Sequence, residues 1–408
     1  MQRWEKNLYS TWISQLIAII GFYFVFPFIP FYIQELGVTN SAQVARWAGI
    51  LAGAPALTMA IFSPIWGSLA DKYGRKLMVE RAMFGGAIVT TCMGLVSNVY
   101  QLLALRILQG ALTGTIPASV ALISTTTPQE RLGFSLGLMQ TAVFSGASIG
   151  PLLGGVVADF FGYRCSFYIT GSLLFIAGLI VLFLVEEGFQ PLSEKKIAGK
   201  GFWKNIWIIF SSRQLLAMIV VLFFIQFAGM IVYPIFPLFV QLLAKSSSCI
   251  ASITGAMLAL TGIASAFSSV IIGRVSDKVG YKKILIVSTL GAGMFYLPQA
   301  FVGNIFQLFL LRVALGLFAG GIMPTANAII GLSVPDEHRG KVYGITASAS
   351  SLGNATGPIA GGIIASILSL RAVFIFTAAL LIIAGIWVTI AVRELKIAKK
   401  TKCIRGKS

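Results

Sequence analysis

Apolar residues run through this chain in stretches of twenty or more, interrupted by short polar turns. The stretches show neither the strict alternation of half-buried strands nor the single apolar stripe of a surface helix, so they read as helices surrounded by an apolar medium. A helix needs about 20 apolar residues to cross a hydrocarbon core of roughly 30 Å. On that measure the chain yields spans over about 9–33, 47–69, 77–97, 99–123, 134–158, 163–185, 214–241, 252–273, 283–303, 306–330, 341–366 and 370–392. Runs of this length exclude an outer-membrane barrel, whose strands are about ten residues of alternating polarity. The expected fold is an all-α membrane protein of 12 transmembrane helices in two six-helix bundles, 1–185 and 214–392, with a linker at 186–213 and a basic tail at 393–408. The first span is read as a retained helix, because Ser10–Ile33 is too long for the apolar core of a cleavable leader.

The polar turns repeat. Gly67-Ser-Leu-Ala-Asp71-Lys-Tyr-Gly74-Arg75-Lys76 returns as Gly273-Arg-Val-Ser-Asp277-Lys-Val-Gly280-Tyr-Lys-Lys283. Pro30 and Pro237 are 207 residues apart, Arg106 and Arg312 206, Gly133 and Gly340 207, and Gly150 and Gly357 207. A parallel duplication of six spans follows, related by an axis along the membrane normal. Paired prolines, Pro27/Pro30 in the first span and Pro234/Pro237 in the seventh, predict bends near the outer ends of both.

Composition changes the picture by adding charge. Hydrophobic residues make up 57% of the chain, charged residues 11%, and the formal net charge is +18. Such a balance would suit a nucleic-acid partner if it lay on one soluble surface. Instead 25 of the 31 Lys and Arg fall on one side of the spans, four on the other (Arg46, Arg164, Lys245, Arg371), and two inside, Arg106 and Arg312. The positive-inside rule then puts both termini and the linker in the cytoplasm, and the basic tail against anionic headgroups rather than nucleic acid. In the linker, Phe202–Trp207 is expected to form a short interfacial helix. Cys92, Cys165, Cys249 and Cys403 have no metal-ligand spacing; they are read as thiols, although Cys165 and Cys249 share the outer side.

Charges inside hydrocarbon carry the most information, because each is costly. Arg106, followed by Gln109, Gly110 and Gly114, is the stronger functional candidate; its copy Arg312 is expected to snorkel or brace carbonyls. None of the acids falls near the midplane. Glu35 at the outer end of the first span is the acid best placed to exchange protons, with an ordinary hydrated carboxylate as the plain alternative. His338, the one histidine, sits in a basic-side loop and reads as solvated. Gly146, Gly150, Pro151, Gly154 and Gly155 put small residues on one face of the fifth span, where a neighbouring backbone can approach closely.

These motifs resemble those of the major facilitator superfamily, over essentially the whole chain, and in particular its twelve-span drug:proton antiporter branch. Gly67, Asp71, Gly74 and Arg75 resemble the superfamily's loop signature, Arg106 with Gln109 and Gly110 its fourth-span motif, and Gly146 to Gly155 the antiporter motif. The resemblance implies that Asp71 and Arg75 join a charge network latching the two halves on the cytoplasmic side, with Glu130 as a partner for Arg75. It also implies that Arg106 senses protonation and that the Gly-Pro helix limits leakage. The lack of a mid-membrane acid in the first span departs from the antiporter pattern. A substrate cavity is expected between the halves, with Phe22, Phe26, Gln140, Phe144, Gln226, Met230, Tyr233, Met323 and Asn327 as candidate lining.

The expected function is proton-coupled efflux of amphipathic small molecules by a monomer in a bacterial inner membrane, with the proton gradient as the energy source and no metal or other cofactor. A facilitator or importer of a polar metabolite, or an exporter of one endogenous product such as a siderophore, stands beside it. No Walker motif offers ATP as a driver and no residue cluster suggests an enzyme.

Overall fold

A computed structural model describes residues 2–188, 212–244, 249–334 and 336–394, excepting the side chains of 336–341. In chain order the helices are α1 Arg3–Glu35, α2 Ser41–Tyr73, α3 Arg75–Met93, α4 Val99–Thr126, α5 Gln129–Phe161, α6 Tyr163–Leu184, α7 Arg213–Ala244, α8 Ile250–Val279, α9 Tyr281–Phe301, α10 Ile305–Leu332, α11 Asp336–Ile367 and α12 Leu370–Ala391. Each predicted span overlaps one of them. Among the described residues ten are long and apolar enough to cross a membrane. The other two are α3, which carries Arg75, Lys76, Glu80 and Arg81 in its first turns, and α11, which is rich in Ser, Gly, Ala and Thr. The expected linker helix at 202–207, most of the basic tail and the side chain of His338 lie outside the described residues.

The proline pairs act as expected. In α1 the regular helix stops at Val25, passes through a 3-10 turn over Phe26–Phe28 and resumes at Ile29, while α7 breaks between Val232 and Phe236. A different device makes the α2–α3 turn. Gly74 alone joins the two helices at φ +99°, and its copy Gly280 joins α8 to α9 at φ +109°. A side chain would be strained there, so this one-residue link accounts for the glycine in the repeated motif. Because α3 starts at once, Arg81 stands inside the helix with its guanidinium 3.8 Å from the centre of the Trp66 ring.

Two pairs of duplicated residues meet on the symmetry axis. Phe26 stacks on Tyr233 with centroids 5.1 Å apart, and the side-chain amides of Gln34 and Gln241 exchange hydrogen bonds of 2.9 and 3.1 Å. Both pairs are separated by the repeat offset of 207. The halves therefore touch each other along the axis in the outer part of the molecule.

The glycines of the inter-half helices record where the halves are close. On α2 a Cβ at Gly49 would stand 2.5 Å from the Pro358 carbonyl oxygen of α11, and on α5 a Cβ at Gly155 would collide with the Ala251 carbonyl of α8. Toward the basic ends of the same helices, a Cβ at Gly67, Gly133, Gly273 or Gly344 would meet nothing within 4 Å. The molecule is thus closed at its outer face and parted at its basic face.

Candidate functional site

A cavity of about 280 Å³ lies in the first half, walled by α1, α2, α3, α4 and α6. Aromatic rings supply much of its wall, with Phe22, Tyr23 and Phe26 from α1 and Phe167 from α6. Polar atoms come from Thr90, Gln109, Thr113, Thr115 and Thr170. One charged side chain, Arg106, faces it, and no Asp or Glu does so among the described residues.

The α4 backbone builds the polar corner. Its helix runs to Leu112, breaks at Thr113–Gly114 and restarts at Thr115, with Gly114 at φ +120°. Irregular backbone at membrane depth survives only where protein or a cavity satisfies the freed groups. Here Thr113 Oγ1 donates to the Gln109 carbonyl at 2.7 Å, and Trp66 Nε1 donates to the Ala111 carbonyl at 2.6 Å. One turn earlier Arg106, only 7% exposed, donates from Nε to the Leu51 carbonyl at 2.9 Å and from Nη1 to Gln109 Oε1 at 2.7 Å. Its guanidinium carbon lies 5.3 Å from the centre of the Phe26 ring. Gln109 passes the chain on through Nε2 to Thr90 Oγ1 at 3.3 Å. The cation is therefore held by neutral acceptors and an aromatic face, and no carboxylate takes up its charge.

Its copy Arg312 is built otherwise. The guanidinium carbon lies 3.8 Å from the Phe236 ring centre and 5.8 Å from that of Tyr296, while Nε and Nη2 have no hydrogen-bond acceptor. Where the first half has Thr90 and Gln109, the second has Tyr296 and Leu315 at the repeat offset of 206. Arg312 neither snorkels nor braces carbonyls; aromatic faces hold it.

The remaining expected site residues are dispersed. Phe22 and Phe26 are on the cavity wall, and Tyr233 closes over Phe26 from the second half. Gln140, Met323 and Asn327 are exposed. Phe144 stands in an apolar groove between α5 and α8, Gln226 donates to Asn354 Oδ1 at 3.3 Å, and Met230 packs where a Cβ on Gly357 would lie. The cavity described here is lined by first-half residues, and Tyr233 reaches its Phe26 wall from the second half, below outer seams that are shut. The sequence reading named Gly114 but passed over Thr113 and Thr115, although a Thr-Gly-Thr-Ile-Pro run inside an apolar span marked the break.

The loop motif stays within the first half in this conformation. Asp71 pairs with Arg75 at 3.2 Å, and the Arg75 and Lys76 backbone N–H groups donate to the Glu187 carboxylate at 3.0 and 2.8 Å. Glu130, expected opposite Arg75, stands exposed in a 3-10 turn in this conformation, in which the basic face is parted. Glu187 caps α3 in the way an acid at an N-terminus should. Next to it, Asn7 and Glu186 form a reciprocal clasp, Asn7 Nδ2 to the Glu186 carbonyl at 2.8 Å and Glu186 N to Asn7 Oδ1 at 2.9 Å. The Lys6 ammonium, hydrogen-bonded to the Glu186 carboxyl, holds it below the usual carboxylate range, with Arg3 adding to the effect. Glu35 pairs with Arg164 at 3.2 Å on the outer rim, away from the cavity wall. Cys165 carries a free thiol, so no disulfide joins it to Cys249.

A duplicated helical membrane chain with this cavity and these motifs can be compared with known proteins. The sequence pattern described as Major Facilitator Superfamily matches residues 11–252 and 250–402. This chain belongs to the Major Facilitator Superfamily. It is 37% identical over 384 residues to the multidrug resistance protein MdtG of Salmonella arizonae, covering 94% of this chain and 95% of that one. With the MdtG of Salmonella schwarzengrund it shares 36% over 395 residues, 97% of each chain. Among solved structures, a bacterial homologue of the human lysosomal transporter Spinster, inward-facing and occupied, superposes with a TM-score of 0.80 at 17% identity over 96% of this chain and 97% of that one. The human organic anion transporter MFSD10 gives 0.67 at 15% identity, over 95% and 100%. At such identities the two structures establish the superfamily fold and nothing finer.

Proposed function

We propose that this chain is a secondary transporter that exports amphipathic small molecules from the cytoplasm by alternating access, driven by protons. The observation that carries the reading is the aromatic cavity beside the broken α4 helix, in a molecule shut at its outer face and parted on the side that the positive-inside rule assigns to the cytoplasm. A substrate with an apolar body and a polar end fits such walls: flat aromatic faces accept many shapes, and Arg106, Gln109 and the threonines orient the polar end. The similarity to MdtG supports drugs as the cargo, and a monomer in the bacterial inner membrane is the setting this reading assumes.

Proton coupling rests on acids outside the cavity. Arg106 and Arg312 stay charged, which leaves carboxylates as the carriers. Asp71 and Glu35 are the candidates, one at the basic end of α2 and one at the outer end of α1. A passive facilitator is the competing reading, and the cavity wall without an acid favours it. Purified protein in proteoliposomes with an imposed pH gradient separates the two. Under proton coupling the wild type concentrates a dye against its gradient. Glu35→Gln then keeps downhill exchange but loses most uphill transport, and Asp71→Asn loses transport at normal abundance. A wild type that ignores the pH gradient replaces the antiporter with the facilitator, and uphill transport retained by both variants overturns Glu35 and Asp71 as the proton carriers.

A further inference from the structure

The two seams that close the outer face are copies of each other, yet among the described residues only one is bridged by a carboxylate. In the first, Gly155 of α5 meets the Ala251 carbonyl of α8; in the second, Gly362 of α11 meets the Ala45 carbonyl of α2. These are the same contact at offsets of 207 and 206. One turn beyond Gly155, the Asp159 carboxylate accepts from Ala251 N at 3.1 Å and from Ser252 N at 2.7 Å. Helix α8 begins at Ile250, so both donors are first-turn N–H groups, which lack an acceptor within their own helix. The second seam cannot copy this. Helix α2 begins at Ser41, a full turn before Ala45, and its first turn is already capped in cis by Asn40, whose Oδ1 accepts from Ala42 N at 2.9 Å and Gln43 N at 3.2 Å. At the position of Asp159 stands Ser366, which donates back to its own helix, to the Ile363 carbonyl.

The geometry points to Asp159 as the latch of the outer gate, a residue of the first half that caps a helix of the second and so holds the outer face shut. The contact exists only while α5 and α8 touch. Opening the outer face strips two hydrogen bonds from a carboxylate and uncaps α8, a cost that falls on the outward-open state alone. The other contacts between the halves at this face among the described residues are neutral, Gln34 on Gln241 and Phe26 on Tyr233, so the α5–α8 seam is the one whose release governs opening. Asp159 is a gate rather than the proton carrier: the latch needs its carboxylate charged on closing, whereas a carried proton must remain bound through that step. It acts through conformation, as a positioning residue.

The inference rests on alternating access but on neither protons nor cargo, and its deciding measurement, a label distance, uses neither. Spin labels at Thr39 and Gly303, both exposed on the outer side, would be placed in the full chain with its four cysteines replaced, reconstituted in nanodiscs, and the label distances measured by pulsed electron resonance. Losing a cap of this kind shifts an equilibrium roughly tenfold. Asp159→Ala is therefore expected to raise the fraction with long outer distances about tenfold over the same background. Ser252→Pro removes the shorter bond from the donor side, within a first turn that tolerates proline, and is expected to act in the same direction. In transport, both variants should raise the apparent KM for substrate on the cytoplasmic side more than they lower the maximal rate, because fewer molecules present the binding-competent state. Unchanged distance distributions in both variants would overturn the latch, and that result would leave the export reading untouched.

Discussion

Arg106→Gln is expected to reduce transport about a hundredfold while leaving the protein inserted and folded. The guanidinium joins the Leu51 carbonyl of α2 to Gln109 and, through it, to Thr90 of α3, so its loss unties three helices at the cavity wall. Hydrogen bonds to a charged donor are worth about 1.5–3 kcal/mol each, and the upper figure corresponds to about two decades in rate. Glutamine is too short to reach Leu51 and cannot present a positive edge to the ring of Phe26. Arg106→Lys keeps the charge but not the fork, and should recover less than a tenth of the activity. Efflux from proteoliposomes, normalised to inserted protein, is the measurement. Wild-type rates with lysine would show that charge alone suffices and that the bridge is incidental.

The second large effect is expected from a pair of glycine substitutions whose outcomes separate folding from cycling. A Cβ at Gly154 would collide with the carbonyl oxygen of Phe24, and one at Gly150 would stand 2.7 Å from the Cβ of Tyr23, so this face of α5 packs against α1 backbone and not against lipid. Overpacking a tight core costs typically about 1–3 kcal/mol. Against backbone that cannot rotate away, Gly154→Leu should sit at or above that range. It is expected to lower thermal stability in detergent and to abolish transport. Gly67→Leu meets open space in this conformation and should leave stability unchanged. It should nevertheless slow transport, because closing the basic face brings α2 toward the second half. Normal turnover by Gly67→Leu would mean that the basic ends never approach as closely as the outer ends do.

The duplication was legible because five landmarks repeat at one spacing, and the membrane-spanning helices because hydrocarbon demands long apolar runs whatever the packing. Positive φ at Gly74 and Gly280 explains why the loop signature keeps its glycine, a local property that a sequence can display. Arg106 stood out for the same kind of reason: a charge in hydrocarbon is conspicuous before any partner is known. Its equivalence with Arg312, by contrast, did not carry over into structure. The two arginines occupy the same register, and what differs is the neighbouring side chains on their own helix and on the helix before it, threonine and glutamine in one half, tyrosine and leucine in the other.

The sequence by itself determined the fold class and made Arg106 with Gln109 conspicuous as a polar corner inside a span, since both follow from hydropathy and charge read along the chain. Only the tertiary structure decided that Glu187 caps the start of α3 and that Asp159 reaches across to cap α8. Those are contacts between residues 92 to 112 positions apart in the chain. They depend on which helix ends at the seam and which runs a turn past it, a difference in helix start that leaves the apolar pattern unchanged.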